Sequence, residues 1–250
     1  MPRLPVSQIE VALRLPTGWE QLLLLEAQSN ETRAAMAFLA PLVRFPDGEV
    51  AIETLPVPDL EYLLLQLRAL VLGDRVRTDL RCTNPACAQR IDLDFRIRDY
   101  LASHRAEGQD GNADAWRTLE GVAARFRLPS AGDLAEALDS ADTARTLACR
   151  CIEGDADRAA VRRIERELAR LAPNLSRMLT APCPHCGAKV PVYFDVQRFV
   201  LAELRNQAAY LYSDVHQLAS RYRWSEADIL AMPAQRRAQY VEISSAGVVS

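Results

Sequence analysis

Long apolar runs, leader segments, an excess of positive charge and catalytic signatures are what this sequence has least of. No stretch approaches the roughly 20 apolar residues a membrane-spanning helix requires. The runs Leu22–Leu25 and Leu63–Leu65 are short and flanked by Glu and Gln. The opening Met1-Pro2-Arg3-Leu4-Pro5 lacks the apolar segment and small-residue cleavage site of a signal peptide, so synthesis in the cytosol is expected. A net charge of −3 gives neither nucleic acid nor an anionic membrane an electrostatic reason to bind. No Gly-x-x-x-x-Gly-Lys, Gly-x-Gly-x-x-Gly, His-Glu-x-x-His or Gly-x-Ser-x-Gly motif occurs. With three histidines, His104, His185 and His216, solvated or satisfied roles are expected rather than acid–base chemistry. The 250 residues are 49% hydrophobic and 25% charged, enough to bury a core in one large domain or two modest ones.

Against this background six cysteines stand out, and in the cytosol they read as metal ligands, catalytic groups or buried thiols before disulfides. Four form two short turns: Cys82-Thr83-Asn84-Pro85-Ala86-Cys87 and Cys183-Pro184-His185-Cys186-Gly187. Two Cys-x(n)-Cys knuckles supply the four thiolates of a tetrahedral zinc site, and Gly187 tolerates the left-handed backbone such a turn needs. The expected ligands are Cys82, Cys87, Cys183 and Cys186, holding one structural Zn²⁺ per chain. A closed four-thiolate shell leaves no open position for catalysis, and His185 would be strained as a fifth ligand inside its own knuckle. Cys149 and Cys151 lie two apart on an expected helix, so they point away from each other and read as buried, inert thiols.

The flanking pattern supports a hairpin at the first knuckle. Val76–Leu80 leads in, and Ile91-Asp92-Leu93-Asp94-Phe95-Arg96-Ile97 leaves with strict alternation. Upstream, Leu60, Leu63, Leu64, Leu67, Leu70 and Val71 recur at helical spacing from Pro58-Asp59 to a C-terminal cap at Gly73. Alternation over Ile9–Leu15 predicts a strand, Trp19–Glu26 and Glu31–Leu42 helices, and Val50–Leu55 another strand. Between the knuckles a polar loop around Gly108, Gly111 and Asn112 is followed by helices over Trp116–Phe126, Ala131–Leu138, Thr143–Ile152 and Ala156–Leu171. The last carries Arg158, Arg162, Arg163 and Arg166 among Glu165 and Glu167, a solvated face with ion pairs. After the second knuckle, Val190–Phe194 reads as a strand. Asp195 caps one long helix to about Arg221, with the apolar stripe Phe199, Val200, Leu204, Ala208, Leu211, Val215, Leu218 and Tyr222. Ser225-Glu226-Ala227-Asp228 restarts a helix, a final short helix ends near Glu242, and Ser244–Ser250 should fray. Trp19, Trp116 and Trp224 are expected as core or interface anchors.

The segment Leu63-Leu64-Leu65-Gln66-Leu67-Arg68-Ala69-Leu70-Val71-Leu72-Gly73-Asp74-Arg75-Val76, running into a cysteine knuckle, resembles the T4-type phage baseplate family. That family includes hub-assembly proteins of contractile tails. Further blocks extend the resemblance over roughly residues 15 to 242: Arg127-Leu128-Pro129-Ser130, Cys149-Arg150-Cys151, Cys183-Pro184-His185-Cys186 with Phe194-Asp195, and Val215-His216-Gln217-Leu218-Ala219 through Trp224–Leu230. It implies a non-enzymatic component or assembly factor of a contractile tail or injection system, docking to other baseplate or tail proteins in a hetero-oligomer, made in the bacterial cytoplasm and either retained in the finished particle or released after assembly. The expected fold is mainly α with a small β zinc ribbon (α+β) and a helical insertion between the knuckles. The expected division is an N-terminal α/β segment (1–57), a split zinc-ribbon core (58–100 and 180–222), a helical insertion (101–179) and C-terminal helices with a tail (223–250). The docking stripe falls on Phe199, Leu211, Leu218 and Trp224. The competing class is a zinc-ribbon nucleic-acid module, which exposes basic and aromatic residues around its knuckles; Asp92, Asp94 and Asp195 argue against it.

Overall fold

The computed structural model describes residues 2–46, 48–104 and 115–246. The chain opens with β1 (Ala12–Leu13), α1 (Gly18–Glu26), α2 (Glu31–Leu39), β2 (Val43–Arg44) and a 3-10 turn (Ile52–Thr54), then α3 (Val57–Leu72). A hairpin, β3 (Arg75–Arg81) and β4 (Arg90–Arg96), leads to α4 (Ile97–Ser103). The middle of the chain holds β5 (Arg117–Thr118), β6 (Ala124–Phe126), α5 (Ala131–Leu138), α6 (Thr143–Cys151), β7 (Ile152–Gly154) and α7 (Arg158–Leu171). A second hairpin, β8 (Arg177–Pro182) and β9 (Lys189–Phe194), precedes α8 (Val196–Ala208), α9 (Leu211–Tyr222), α10 (Glu226–Leu230) and α11 (Ala234–Ala246). The architecture is α+β: helices dominate, and the sheets β1-β2, β3-β4, β5-β6-β7 and β8-β9 are small and antiparallel.

Local chemistry explains the helix starts. Asn30, Ser130, Asp142, Asp157, Asp195 and Ser225 each accept a hydrogen bond from a backbone N–H of the first turn of α2, α5, α6, α7, α8 and α10. Alternate side chains of β3 and β4 leave Val76 and Ile91 buried and every second residue exposed, as a half-covered hairpin requires. The main core draws on the N-terminal segment, on α3 apart from the exposed Leu70, and on α8. It includes Leu4, Phe38, Leu39, Leu60, Leu63, Leu64, Leu67, Val200, Leu201 and Leu204. Buried polar ties lock it. Asp59, inside α3, accepts the N–H groups of Val6 and Ser7 at 2.8 and 2.9 Å, and burial pushes its pKa up. Gly18 starts α1 where a Cβ would stand 2.8 Å from the Leu230 backbone, so glycine permits this helix-to-helix approach.

Five expectations give way. Within the expected Ile9–Leu15 strand only Glu10, Ala12 and Leu13 pair, Glu10 with Arg3 as an isolated bridge and Ala12–Leu13 with β2. Val50–Leu55 forms a 3-10 turn that buries Ile52 and Leu55, three residues apart. Trp116–Phe126 is not a helix. Gly121 turns the chain at φ +71°, and Arg117–Thr118 and Ala124–Phe126 pair as strands, the second also with β7. The long C-terminal helix is broken at Ala209–Tyr210: α8 packs on α1, α2 and α3, whereas α9 turns to meet α10 and α11. The final helix also extends beyond Glu242 to Ala246. The loop expected at Gly108, Gly111 and Asn112 and the end of the tail lie outside the described residues.

Candidate metal centre

Each cysteine pair sits in the turn of a hairpin, and the two turns are closed alike. In the first, the Cys82 N–H donates to the Gln89 carbonyl at 2.9 Å, and the Cys87 and Ala88 N–H groups both donate to the Asn84 carbonyl at 2.9 Å. In the second, the Cys183 N–H donates to the Ala188 carbonyl and the Gly187 N–H to the Cys183 carbonyl, each at 2.8 Å. The residue after each second cysteine takes a left-handed backbone, Ala88 at φ +48° and Gly187 at φ +72°. Sequence reasoning anticipated this for Gly187 and missed its counterpart Ala88.

The turns face one another. Cys82 Sγ lies 3.7 Å from Cys186 Sγ, and Cys87 Sγ lies 3.9 Å from Cys183 Sγ. All four sulfurs are within 4.8 Å of one another, close enough to share a metal ion. None is in a disulfide, and bonded sulfurs would be about 2.05 Å apart. Cys82 and Cys183 are buried, Cys87 is half-buried and Cys186 is exposed. Ile91 and Val190 pack against the sulfurs from within the hairpins. At the opposite end Phe95 and Phe194 meet edge to face at 5.7 Å. The hairpins are thus joined at both tip and root, although they remain two separate two-stranded sheets.

The thiols are electrostatically unequal. Burial raises the Cys183 pKa, but backbone N–H groups of Cys186 and His185 and the thiols of Cys82 and Cys186 outweigh it, bringing the value down to about 6. For Cys82 the Asn84 backbone favours the thiolate, yet burial and the three other thiols together push it up to about 12. Cys87 is likewise raised: a Gln89 backbone hydrogen bond favours its thiolate, but burial and the thiols of Cys186 and Cys183 outweigh it. A bound divalent cation would draw all four sulfurs into the thiolate form, since coordinating thiols are deprotonated outright.

The remaining sequence candidates fall elsewhere. Leu211 and Leu218, expected on a docking stripe, are 1% and 0% exposed, covered by this chain's own helices because α9 packs on α11 and α10. Phe199 is half-buried and lies 5.3 Å from Phe194, ring to ring. Trp224, also half-buried, stacks on Tyr222 at 4.7 Å and meets Tyr240 edge on at 4.9 Å. Trp19 and Trp116 are exposed rather than core. Of the two non-knuckle cysteines, Cys151 is buried as expected, its pKa raised to about 11 by burial and then by Asp133. Cys149 is exposed, against expectation. His104 ends α4, its Nδ1 2.8 Å from the Tyr100 carbonyl, while His185 and His216 are exposed.

Residues 1–155 match the family described as T4 bacteriophage base plate protein. The chain belongs to this family. No curated protein and no solved structure matches. The matched region covers more than half of the chain and contains the first knuckle but ends before the second. Membership supports a structural or assembly role in a phage base plate and implies other tail proteins as partners. No described helix of this base plate protein is long and apolar enough to cross a membrane.

Proposed function

We propose that this protein is a structural component or assembly factor of the baseplate of a contractile phage tail or contractile injection system, stapled by one zinc ion and acting by docking rather than catalysis. Family membership over residues 1–155 carries the reading. The zinc is supported by geometry. A tetrahedron with Zn–S bonds of about 2.3 Å has S···S edges of about 3.8 Å, and the two cross-knuckle separations are 3.7 and 3.9 Å. Cys82, Cys87, Cys183 and Cys186 would hold the ion, whose role is to tie the hairpins of the split core (58–100 and 180–222) across the insertion (101–179). It would be a zinc ribbon in two halves.

Docking then falls on side chains left uncovered. Trp19 and Leu23, 47% and 49% exposed, form an outward stripe on α1 with Glu26, which accepts a hydrogen bond from the Tyr212 hydroxyl at 3.1 Å. Tyr212 and Tyr210 are 54% and 75% exposed. These aromatic and aliphatic groups replace the buried Leu211 and Leu218 as the proposed contact face for neighbouring tail proteins. The nucleic-acid alternative draws little support from the exposed arginines of the first hairpin, because Arg75 and Arg77 pair with Asp94 and Arg90 with Asp79.

Co-expression with the neighbouring tail proteins tests the reading. The expected result is co-purification that Trp19→Ala with Tyr212→Ala abolishes, and one zinc per chain bound by four sulfurs in X-ray absorption. Absence of co-migration with any tail protein overturns the docking role.

A further inference from the structure

Cys186 is the exposed member of the cysteine cluster, and an exposed thiolate is the natural point of attack for water, protons, chelators and electrophiles. A side chain from the other knuckle reaches it. The Asn84 amide Nδ2 lies 3.8 Å from Cys186 Sγ, while the same amide's Oδ1 accepts the Ala86 N–H at 3.0 Å. One side chain therefore does two things. Its oxygen folds the Cys-x-x-x-x-Cys turn around Pro85, and its nitrogen points an N–H at a sulfur contributed from 102 positions away. The other sulfurs draw on their own knuckles: Cys82 on the Asn84 backbone, Cys87 on the Gln89 backbone, and Cys183 on the backbone of Cys186 and His185. The four-residue spacing of the first knuckle makes this reach possible, because it leaves Asn84 within the turn and beside the partner hairpin's tip.

Resting on the zinc reading above, we infer that Asn84 is the positioning residue of the metal centre: its side-chain N–H holds the Cys186 thiolate in place and slows loss of the ion through the exposed side of the cluster. A hydrogen bond to a charged acceptor is about twice as strong as one between neutral groups. Removing a partner that supports a metal ligand lowers metal affinity by about 10- to 100-fold. The Asx turn alone would give Asn84 a purely local role, and the two roles separate by substitution. Asn84→Asp keeps an oxygen for the Ala86 N–H and loses the donor to sulfur. Asn84→Ala loses both.

The test uses the full-length, zinc-loaded protein and follows zinc transfer to a chromogenic chelator, with alkylation of Cys186 by iodoacetamide read in parallel by mass spectrometry. Asn84→Asp and Asn84→Ala should each release zinc at least about tenfold faster than the parent chain and expose Cys186 to alkylation sooner. Both should start from one zinc per chain and an unchanged circular dichroism spectrum. Release from Asn84→Asp at the parental rate overturns the assignment and leaves Asn84 a turn former, with the zinc reading intact. A parent chain that binds no zinc overturns the zinc reading and this inference together.

Discussion

The two cysteine hairpins are built to one plan and finished differently. Both close their tips with the same backbone bond from the first cysteine, both turn inward an apolar residue beside the sulfurs (Ile91 and Val190), and both place an aromatic ring at the root (Phe95 and Phe194). Their outer faces have nothing in common. The first displays Arg75, Arg77, Asp79 and Arg81 against Arg96, Asp94, Asp92 and Arg90. The second displays Met178, Thr180 and Pro182 against Tyr193, Pro191 and Lys189, with Met178 and Tyr193 directly paired and exposed. Because side chains alternate along a strand, the cysteine site constrains only every second residue, and the other face can follow the demands of its own surroundings. The roots differ too. The first hairpin emerges beside Arg68, 4% exposed, which donates to the carbonyls of Gly73 and Arg75 and pairs with Glu203 at 2.8 Å. The second is pinned by Glu61, 5% exposed, which accepts the Ser176 hydroxyl at 2.7 Å, while Ser176 Oγ accepts the Val196 N–H at 3.0 Å.

Shared and divergent features can be separated by experiment. The largest effect is expected from Cys183→Ser, which should abolish zinc binding and make both hairpin tips sensitive to limited proteolysis, since neither sheet has more than two strands to sustain it. Proteolysis confined to the second hairpin would show that the first does not depend on the clasp.

Next comes a pH effect specific to the second root. Burial, opposed by hydrogen bonds from Ser176 and Gln197 and reinforced by the charge of Asp195, raises Glu61 from 4.5 to about 7. Between these values the native chain keeps a proton that the unfolded chain has released. The native state binds more protons there, so stability is greatest below the lower value and is lost as pH rises through the upper one. The contribution is about 3 kcal/mol. Denaturant titrations of the parent chain and Glu61→Gln at pH 6 and pH 8 should differ in their pH dependence. Identical slopes would mean that the carboxyl is not protonated in the fold.

The smallest effects are expected at the paired left-handed positions, with opposite signs. Gly187→Ala should cost about 1 kcal/mol, and only for backbone conformation, because a Cβ there meets nothing within 4 Å. Ala88→Gly should stabilise by up to about 1 kcal/mol, because an alanine already occupies that conformation. Thermal unfolding of both zinc-loaded variants checks the pair; shifts of the same sign would break the proposed equivalence of the two tips.

Legibility in the sequence followed the range of the forces involved. The helix capped at Gly73, the helix over Ala131–Leu138 and the first hairpin were readable, because caps, periodicity and alternation are local signals. The segment from Trp116 to Phe126 was not. Its composition suits a helix, and its short strands emerge only from the turn at Gly121 that pairs residues 117–118 with 125–126 and from the pairing of 124–126 with 152–154. The apolar stripe across Ala209–Tyr210 ran on without interruption, so nothing local signalled that α8 packs on α2 and α3 while α9 packs on α10 and α11. The four cysteines were found by spacing. Ile91 and Val190 were readable as strand residues but not as packing against the sulfurs, and Asn84, Glu61 and Ser176, which support the centre or its hairpins, carry no spacing signature.

The cross-knuckle pairing of Cys87 with Cys183 spans 96 positions. Tying a flexible loop of that size costs about 4–5 kcal/mol in chain entropy. The segment between the knuckles is tied down elsewhere, α5 packing on α6, α2, α3 and the 3-10 turn, so the loop the cysteines close is shorter in effect than its sequence length. A zinc ion held by all four thiols, as proposed above, would therefore register whether the intervening segment has reached its native packing.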